Sequence, residues 1–419
     1  MQIGTSNQRS AFGILRHRLE STVLLLALSM MVTCRGTESS LETDSDSADQ
    51  ENSLLLDKTS LDFSQNPLLL QRILSSPHGY FRFINIPFSQ EVCRAFEEVL
   101  PPYPDFNLHG DAHLEQYAVT DLGRGLTDFD DSTLGPSLID ITRFAVSLRL
   151  AAEANGWESK AEEFFDGFLE GYLDALTDPQ TVASEPAVVA RLREDFNYDR
   201  ERYFNWIGEI AKPIPRSEQQ ALLEALELYV EDVRARRPEL GPNYFDVERI
   251  GRLKLGIGSA MDRKYLVQIR GETADISDDV VLELKTVRNL TGIDCVSTGQ
   301  TDDPYRILIG QSIAYQPYEL LGYVRFDGST FWIHAWVDNY RELSVVGDLR
   351  TPDELMEVAR DVGVQLGRGH PNQLREPLDL QLRREQVRLL ARDRELIRST
   401  SRRLAAQVQE AWRHFGRDQ

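Results

Sequence analysis

The sequence has few basic residues relative to acidic ones, only three cysteines, and no apolar run of membrane-spanning length. Its 67 Asp and Glu residues outnumber 46 Lys and Arg residues, which gives a formal net charge of −21. Because phosphate backbones are bound by basic surfaces, this charge argues against a nucleic-acid-binding protein. It suits a soluble protein of an envelope compartment, or a site that concentrates divalent cations. A chain of 419 residues can form one large or two medium domains.

The N-terminal apolar run, Thr22–Thr33, is too short to span a membrane comfortably. It follows a basic leader and ends at Cys34, which is the order of a secretory signal over residues 1–34. The four residues that end at Cys34 resemble a bacterial lipobox, although Thr33 stands where Gly or Ala is usual. We therefore expect an exported protein of the bacterial cell envelope, anchored as a lipoprotein through a lipidated Cys34. An uncleaved N-terminal anchor is the alternative.

Residues 35–56 are rich in Ser, Asp and Glu and contain few large apolar side chains. Such a segment cannot offset the entropy that it would lose on ordering. We predict a disordered acidic tether between the signal and the folded part of the chain.

The scarcity of cysteine leaves only Cys93 and Cys295 in the folded part. In an oxidising compartment the two could pair, but they lie far apart in sequence, and a bridge cannot be deduced from that distance. We favour two free buried thiols.

From residue 57 the sequence alternates helical and extended patterns, which predicts a helix-rich α+β fold. Residues 57–240 are predicted to form a helical lobe and residues 241–345 a β-rich lobe, followed by C-terminal helices over residues 346–419. The main predicted helices are 68–74, 91–100, 138–152, 160–176, 218–237 and 378–415. The predicted strands are 264–269, 280–287, 323–326 and 331–337, with a hairpin turn at 326–329. The last helix is rich in Arg; we expect its basic face to pack on the acidic body, with binding of anionic lipid headgroups as the alternative.

The segment from His109 to Arg143 concentrates the residues that phosphoryl transfer needs. Asp111 lies between His109 and His113. A second group of carboxylates follows a Gly-containing turn: Asp128, Asp130 and Asp131. One carboxylate can orient an acceptor hydroxyl while another holds Mg²⁺ on the phosphates. The same carboxylates could bind Ca²⁺ in a structural loop, or only cap helices and turns. The two histidines could bind a metal, but no third His is near, so structural hydrogen bonding is their expected role.

This segment resembles a bacterial family named domain of unknown function 2252, whose members carry the pattern GDAHLxN…NDFDE…GPxxWDxxRLAxSL. The matching residues are Gly110–Leu114, Asp128–Asp131, Gly135, Pro136, Asp140, Arg143, Ser147 and Leu148. Further segments match in the family's order, from Ser76 and Pro77, through a GxGSxG-like element at residues 256–259 and a strand ending in Lys285, to His370.

The centre is also similar to the HGDxHxxN…DFxD loop of aminoglycoside phosphotransferases and choline kinases, which have the protein-kinase fold. This resemblance implies a kinase-like fold with Asp111 as catalytic base and Asp128 as main ligand of Mg²⁺. The implied metal set is Asp128, Asp130 and Gln116, and the implied brace of the loop is Asp140 with Arg143. The implied nucleotide-binding residues are Gly256, Gly258, Ser259 and Lys285. Strand alternation alone allows Lys285 to point into a cleft or into solvent.

Three departures from the pattern bear on activity. Gln116 stands where kinases have Asn as second metal ligand, and Ile309 stands where the family usually has Glu. The Gly-rich element and Lys285 also follow the catalytic-type loop instead of preceding it, so a circularly permuted lobe order is needed to form the site. Export adds a difficulty, because ATP is scarce outside the cytoplasm.

The sequence therefore predicts a kinase-like, metal-dependent phosphotransferase acting on a small molecule or protein. The alternative is a non-catalytic, envelope-anchored pseudokinase that binds a phosphate-containing ligand. A hydrolase acting on phosphoesters is less favoured, because no His cluster for a second metal is present.

Overall fold

A computed structural model describes residues 52–64, 67–100, 105–121, 123–253, 263–297 and 301–417. The predicted signal over residues 1–34 with Cys34, most of the predicted tether, and the element containing Gly256, Gly258 and Ser259 lie outside these residues. Helices and antiparallel sheets are both present, so the α+β prediction is confirmed.

The helices of the described residues are α1 (Pro67–Ser75), α2 (Pro77–Phe83), α3 (Asn85–Ala95), α4 (Leu138–Ala154), α5 (Ala161–Thr177), α6 (Ala187–Arg193), α7 (Arg200–Ile210), α8 (Arg216–Arg236), α9 (Tyr305–Gly310), α10 (Pro352–Gly369) and α11 (Leu378–Arg417). The strands are β1 (Phe106–Leu108), β2 (Tyr117–Thr120), β3 (Arg124–Leu126), β4 (Thr133–Gly135), β5 (Val247–Arg252), β6 (Lys264–Ile269), β7 (Val280–Thr286), β8 (Gly322–Phe326), β9 (Ser329–Trp336) and β10 (Tyr340–Glu342). None of these helices is long and apolar enough to cross a membrane.

The amphipathic periodicity locates most helices to within two residues, but it misplaces α3. The predicted helix over 91–100 begins at Asn85 instead and ends at Ala95. Pro87 lies in its first turn, where the missing N–H has no helical partner to lose. Ser76 separates α1 from α2 and caps α2, because its side chain accepts a hydrogen bond from the Gly79 N–H.

The tether prediction extends too far toward the folded part. Leu54 is fully buried in the main core, and its carbonyl oxygen accepts a 2.7 Å hydrogen bond from the Tyr80 hydroxyl. The three consecutive leucines at residues 54–56 supply the apolar surface that the acidic stretch before them lacks.

A five-stranded antiparallel sheet in the order β5-β6-β7-β9-β8 carries Lys285. The predicted hairpin turn between β8 and β9 is confirmed, with positive φ at Asp327 and Gly328 as a type I′ turn requires. One face of the sheet is apolar and packs against α8. The other face carries buried polar side chains: Lys264, Gln268, Glu283, Lys285 and His334. Buried polar side chains need hydrogen-bonding or charged partners, so this face of the sheet indicates a candidate functional site.

The Arg-rich helix α11 packs with its basic face on acidic residues of α5, as expected. Arg398 bridges Glu162 and Asp166 at 2.8 and 2.6 Å. Arg394 and Arg402 make further pairs with the same two carboxylates. This face of the helix is therefore occupied within the fold.

Cys93 and Cys295 form a disulfide across 202 residues of sequence, so the prediction of two free thiols is wrong. The fold brings α3 beside the segment that follows β7, with a Cα–Cα distance of 5.6 Å. Next to the bridge, the Gln90 side chain exchanges two hydrogen bonds with Asp294, at 2.5 and 2.7 Å. Contacts between residues so far apart in the chain cannot be predicted from a local sequence pattern.

Candidate functional site

The loop that carries Asp111 is fixed by a buried carboxylate. Strand β1 leads directly into it, and Asp140 on the first turn of α4 accepts hydrogen bonds from the backbone N–H groups of His109 and Gly110, at 2.6 and 2.9 Å. Gly110 has φ +80°, and a Cβ there would lie 1.9 Å from the carbonyl oxygen of Asp131. Only glycine fits at this position.

His370, which follows Gly369 at the end of α10, completes the support of this loop. It is fully buried, with Nε2 3.1 Å from Asp140 Oδ2 and Nδ1 2.7 Å from the Tyr172 hydroxyl. The backbone N–H of Asn107 also donates to the His370 carbonyl oxygen at 2.9 Å. Helices α5 and α10 therefore hold Asp140 from the side opposite the loop.

Asp111 is paired with Arg143, which the resemblance had assigned to a brace with Asp140. The Arg143 Nε donates to Asp111 Oδ1 at 2.6 Å, and both side chains are buried. Burial opposes ionisation of Asp111, but Arg143 and then His113 outweigh it and hold the pKa of Asp111 well below its usual value. Asp111 is thus a fixed carboxylate, suited to accept a hydrogen bond from a hydroxyl.

The two histidines of the loop differ in environment. His109 lies with Nε2 2.8 Å from the carbonyl oxygen of Thr127, which ties the Asp111 loop to the segment before Asp128. Burial lowers the pKa of His113 to about 4, so its ring is neutral at pH 7. Its Nε2 lies 3.6 Å from Asp111 Oδ2.

Lys285 points into the site and meets the second group of carboxylates. Its Nζ lies 2.5 Å from Asp128 Oδ1 and 2.6 Å from Asp130 Oδ2. Asp128 adopts the left-handed conformation with φ 60°, which turns its carboxylate toward the sheet. The Trp332 indole N–H donates to Asp130 at 2.9 Å.

The carboxyl groups of Asp128 and Asp130 differ in pKa. Burial and the neighbouring Asp128 raise the pKa of Asp130 to about 8. Burial also opposes ionisation of Asp128, but Lys285 outweighs it and holds the pKa of Asp128 well below its usual value. Asp128 is therefore the more acidic of the two carboxyls and the stronger anionic partner of Lys285.

Gln116 connects the two halves of the centre. Its amide nitrogen lies 3.2 Å from Asp111 Oδ2 and 3.5 Å from Asp128 Oδ2. Its Oε1 is buried and has no hydrogen-bond partner among the described residues. Asp128 and Asp130 carry the hard oxygen donors that Mg²⁺ prefers, and turning the Gln116 amide so that its oxygen replaces its nitrogen would add a third, so these residue types fit such an ion. Within the described residues, however, no three His, Cys, Asp or Glu side chains form a ready-made metal site.

A cavity of about 240 Å³ joins these groups. Its walls add cations that the sequence analysis did not assign to the site: Arg82, Lys264 and Arg288. Lys264 lies directly opposite Lys285 in the register of β6 and β7, and both are buried. The alternation of β6 contained the signal, because Tyr265, Val267 and Ile269 face the apolar core and leave Lys264 on the other face.

Asp131 is anchored through one of its two oxygens, Oδ2. It accepts hydrogen bonds from Asn85 at 2.8 Å and Arg288 at 2.6 Å. Ile309, at the position where the family usually has Glu, is 43% exposed and is not part of the cavity wall. The acid partners of Lys285 are therefore Asp128 and Asp130.

Comparison with known proteins identifies the family. The model of the family described as "Uncharacterized protein conserved in bacteria (DUF2252)" matches residues 64–203 and 191–418. The chain belongs to this family. No curated protein matches it. No solved structure matches it either.

Proposed function

We propose that this member of the family is an exported, kinase-like phosphotransferase that uses a metal-complexed phosphate donor such as a nucleotide. The observation that carries the proposal is the contact of Lys285 with Asp128, 157 residues apart, in the cavity that Asp111 also lines. Phosphoryl transfer depends mainly on such positioning of charges, with a lysine and metal-bound carboxylates around the phosphates.

The order of the sheet supports a kinase-like fold with permuted lobes. In protein kinases the Gly-rich loop covers the phosphates and the lysine is on the third strand. Lys285 is on the third strand of this sheet in chain order, and the Gly256–Ser259 element lies in sequence between its first two strands.

The roles of the side chains follow from their surroundings. Asp128, Asp130 and the Gln116 oxygen would hold Mg²⁺, which supplies charge stabilisation for the transferring phosphoryl group. Asp111, fixed by Arg143, would accept a hydrogen bond from the acceptor hydroxyl and orient it. Lys285 would bind donor phosphate oxygens from the sheet.

Location in the cell envelope is part of the proposal. The Cys93–Cys295 disulfide supports it, because structural disulfides persist in oxidising compartments and are rare in the cytosol. With the predicted signal and Cys34, it favours a lipoprotein that is attached to the membrane by its N-terminus. Mass spectrometry of the mature N-terminus tests lipidation: a diacylglycerol-modified Cys34 is expected, and an unprocessed Met1 would contradict it.

A second candidate, a ligand-binding pseudokinase, is favoured by one observation. Gln116 turns its amide nitrogen, not its oxygen, toward Asp111 and Asp128. An amide group that donates hydrogen bonds to both carboxylates stabilises the centre without a metal ion. Such a group could take the place of the ion.

Thermal unfolding with and without Mg·ATP tests ligand binding, using wild type, Asp128→Ala, Lys285→Ala and the surface control Lys160→Ala. A rise in Tm in wild type and the control, absent from the two site variants, is expected. Transfer or release of the γ-phosphate then separates the candidates: activity lost in Asp111→Asn indicates the enzyme. Binding without turnover indicates the pseudokinase, and Gln116→Asn, which restores the kinase ligand, should then strengthen metal-dependent binding.

A further inference from the structure

A second pocket, of about 220 Å³, adjoins the cavity that holds Lys285 and Asp128. Tyr318 and Trp336 line both spaces, so the two are direct neighbours. The rest of the wall of the second pocket is largely apolar, and it includes Ala118, Leu126, Phe129, Pro317 and Val337. We call this space the apolar pocket.

The character of the apolar pocket fits an uncharged ring. Of its charged wall residues, Arg124 donates to Asp361 at 2.8 Å and Glu319 is exposed to solvent. A phosphate group is a poor occupant, because a buried anion needs a cationic partner. A volume of about 220 Å³ is below the roughly 300–1,000 Å³ of pockets for drug-sized ligands, so a single ring system is the size of group that fits.

Tyr318 marks the boundary between the charged cavity and the apolar pocket. Its ring stacks on the His334 ring, with centroids 4.2 Å apart. His334 is itself held by Glu283 at 3.1 Å and stacks on the Trp332 ring at 4.5 Å. These contacts fix the Tyr318 ring in place, and a fixed aromatic side chain favours the packing of another planar ring beside it.

The apolar pocket lies well away from Lys285 along the sheet. Trp332 is directly opposite Lys285 in the register of β7 and β9, and Trp336 is four residues further along β9. At a rise of about 3.3 Å per residue, this corresponds to roughly 13 Å. A ligand that reaches both places needs a spacer between its ring and its terminal phosphates. The sugar and the first phosphate of a nucleotide supply such a spacer.

The same arrangement assigns the ring to the phosphate donor and not to the acceptor. Asp111 and Arg82 line the cavity but not the apolar pocket. The acceptor hydroxyl belongs at Asp111, whereas Tyr318 and Trp336 join the pocket to the part of the cavity that the sheet forms around Lys285.

We infer that the apolar pocket binds the base of a nucleoside diphosphate or triphosphate, so that the phosphate donor is a nucleotide and not an inorganic polyphosphate. This inference rests on the proposed function and names the class of donor that the same site uses. The base would pack against Tyr318, and the terminal phosphates would reach Lys285 and the metal ion.

The test is isothermal titration of the full folded chain with ATP, ribose 5-triphosphate and tripolyphosphate, each in excess Mg²⁺. The three ligands share a chain of three phosphates and differ in the base and the sugar. Val337→Phe narrows the apolar pocket at a half-buried residue that does not line the cavity. Tyr318→Leu removes the aromatic ring, and Tyr318→Phe keeps it. The control is Tyr198→Leu, since Tyr198 is 71% exposed and lies outside both spaces.

Wild type should bind ATP about tenfold or more tightly than either ligand that lacks the base, which is the order of affinity that stacking of one base on aromatic side chains provides. Val337→Phe and Tyr318→Leu should lose most of this preference while binding tripolyphosphate as wild type does. Tyr318→Phe and Tyr198→Leu should keep the preference. Circular dichroism and Tm establish that each variant is folded. If Tyr318→Leu does not fold, the comparison of Val337→Phe with wild type decides.

The failures of the inference and of the proposed function are distinguishable. If wild type binds ATP and tripolyphosphate equally well, or if both pocket variants keep the preference for ATP, the base subsite is refuted and the proposed function stands. The subsite is also refuted if Val337→Phe weakens the binding of all three ligands alike. If wild type binds none of the three, the proposed function fails as well.

Discussion

Removing the Cys93–Cys295 bridge is expected to destabilise the fold more than any single surface change. The bridge closes a loop of 202 residues. The entropy that such a cross-link removes from the unfolded chain corresponds to about 5 kcal/mol at 25 °C for a loop of that length. We predict that Cys93→Ser with Cys295→Ser lowers the free energy of unfolding by up to this amount, without changing the secondary structure.

The bridge also acts on the candidate site, because both elements that it joins lead to one carboxylate. Helix α3 carries Cys93 at one end and Asn85 at the other, and Asn85 donates to Asp131 at 2.8 Å. The segment that leads to Cys295 begins near Arg288, which donates to the same carboxylate at 2.6 Å. Loss of the disulfide should therefore loosen the turn between Asp128 and Asp131 and weaken ligand binding.

Urea unfolding of the oxidised chain and of the double-serine variant measures the difference, and Mg·ATP titration of both measures the effect on the site. The control is reduction of the wild type, which should reproduce the variant's stability. Two free thiols in the native protein, or a loss of less than 1 kcal/mol at unchanged m value, would refute the reasoning.

Three further predictions each concern one side chain of the candidate site. Because the pKa of Asp130 is raised from 3.8 to about 8, the folded chain holds a proton that the unfolded chain has released between those values, so the free energy of unfolding should fall as pH rises from about 4 to about 8. Asp130→Asn should remove that slope in urea titrations at several pH values, and an unchanged slope would assign it to other groups. Lys285→Met leaves the half-buried carboxylate of Asp128 without its cation, and we expect a loss of about 1–3 kcal/mol at pH 8 by urea unfolding, smaller at pH 5; equal losses at both pH values would contradict this. Asp140→Ala leaves the N–H groups of His109 and Gly110 unpaired, so we expect a loss of about 2–5 kcal/mol in Tm-based stability and no ligand shift, whereas retained Mg·ATP binding would show that the loop does not need its brace.

Local patterns predicted the elements well wherever one face of an element is apolar. The strands β6, β7 and β9 and the helices α4, α5 and α8 follow from periodicity, since alternation of period 2 or 3.6 is imposed by the core itself. The start of α3 was missed: the helix was predicted to begin at residue 91, but it begins at Asn85 and has Pro87 in its first turn. Periodicity shows which residues of a helix are buried, but it does not show at which residue the helix begins.

The site was predicted in part, for a different physical reason. The motif residues Asp111 and Asp128 are neighbours in space because a short antiparallel hairpin, β2–β3, connects them. The contacts between distant segments of the chain could not be predicted from the sequence. Arg143 binds Asp111 and not Asp140, His370 reaches Asp140 across 230 residues, and Lys264 lines the cavity because it is in register with Lys285. Each of these contacts is fixed by tertiary packing, which cannot be predicted from a local sequence pattern.

The charges of the site are matched within the protein, and this determines how a ligand can enter. Asp111 is neutralised by Arg143, Lys285 contacts both Asp128 and Asp130, and burial raises the pKa of Asp130. A phosphate alone would have to draw Lys285 from its carboxylates, and a cation alone would have to displace the same ammonium group. When both arrive, each takes one partner of the existing ion pair, so no buried charge is left uncompensated. We therefore expect metal and phosphate to bind with positive coupling, each raising the affinity of the other by the same factor.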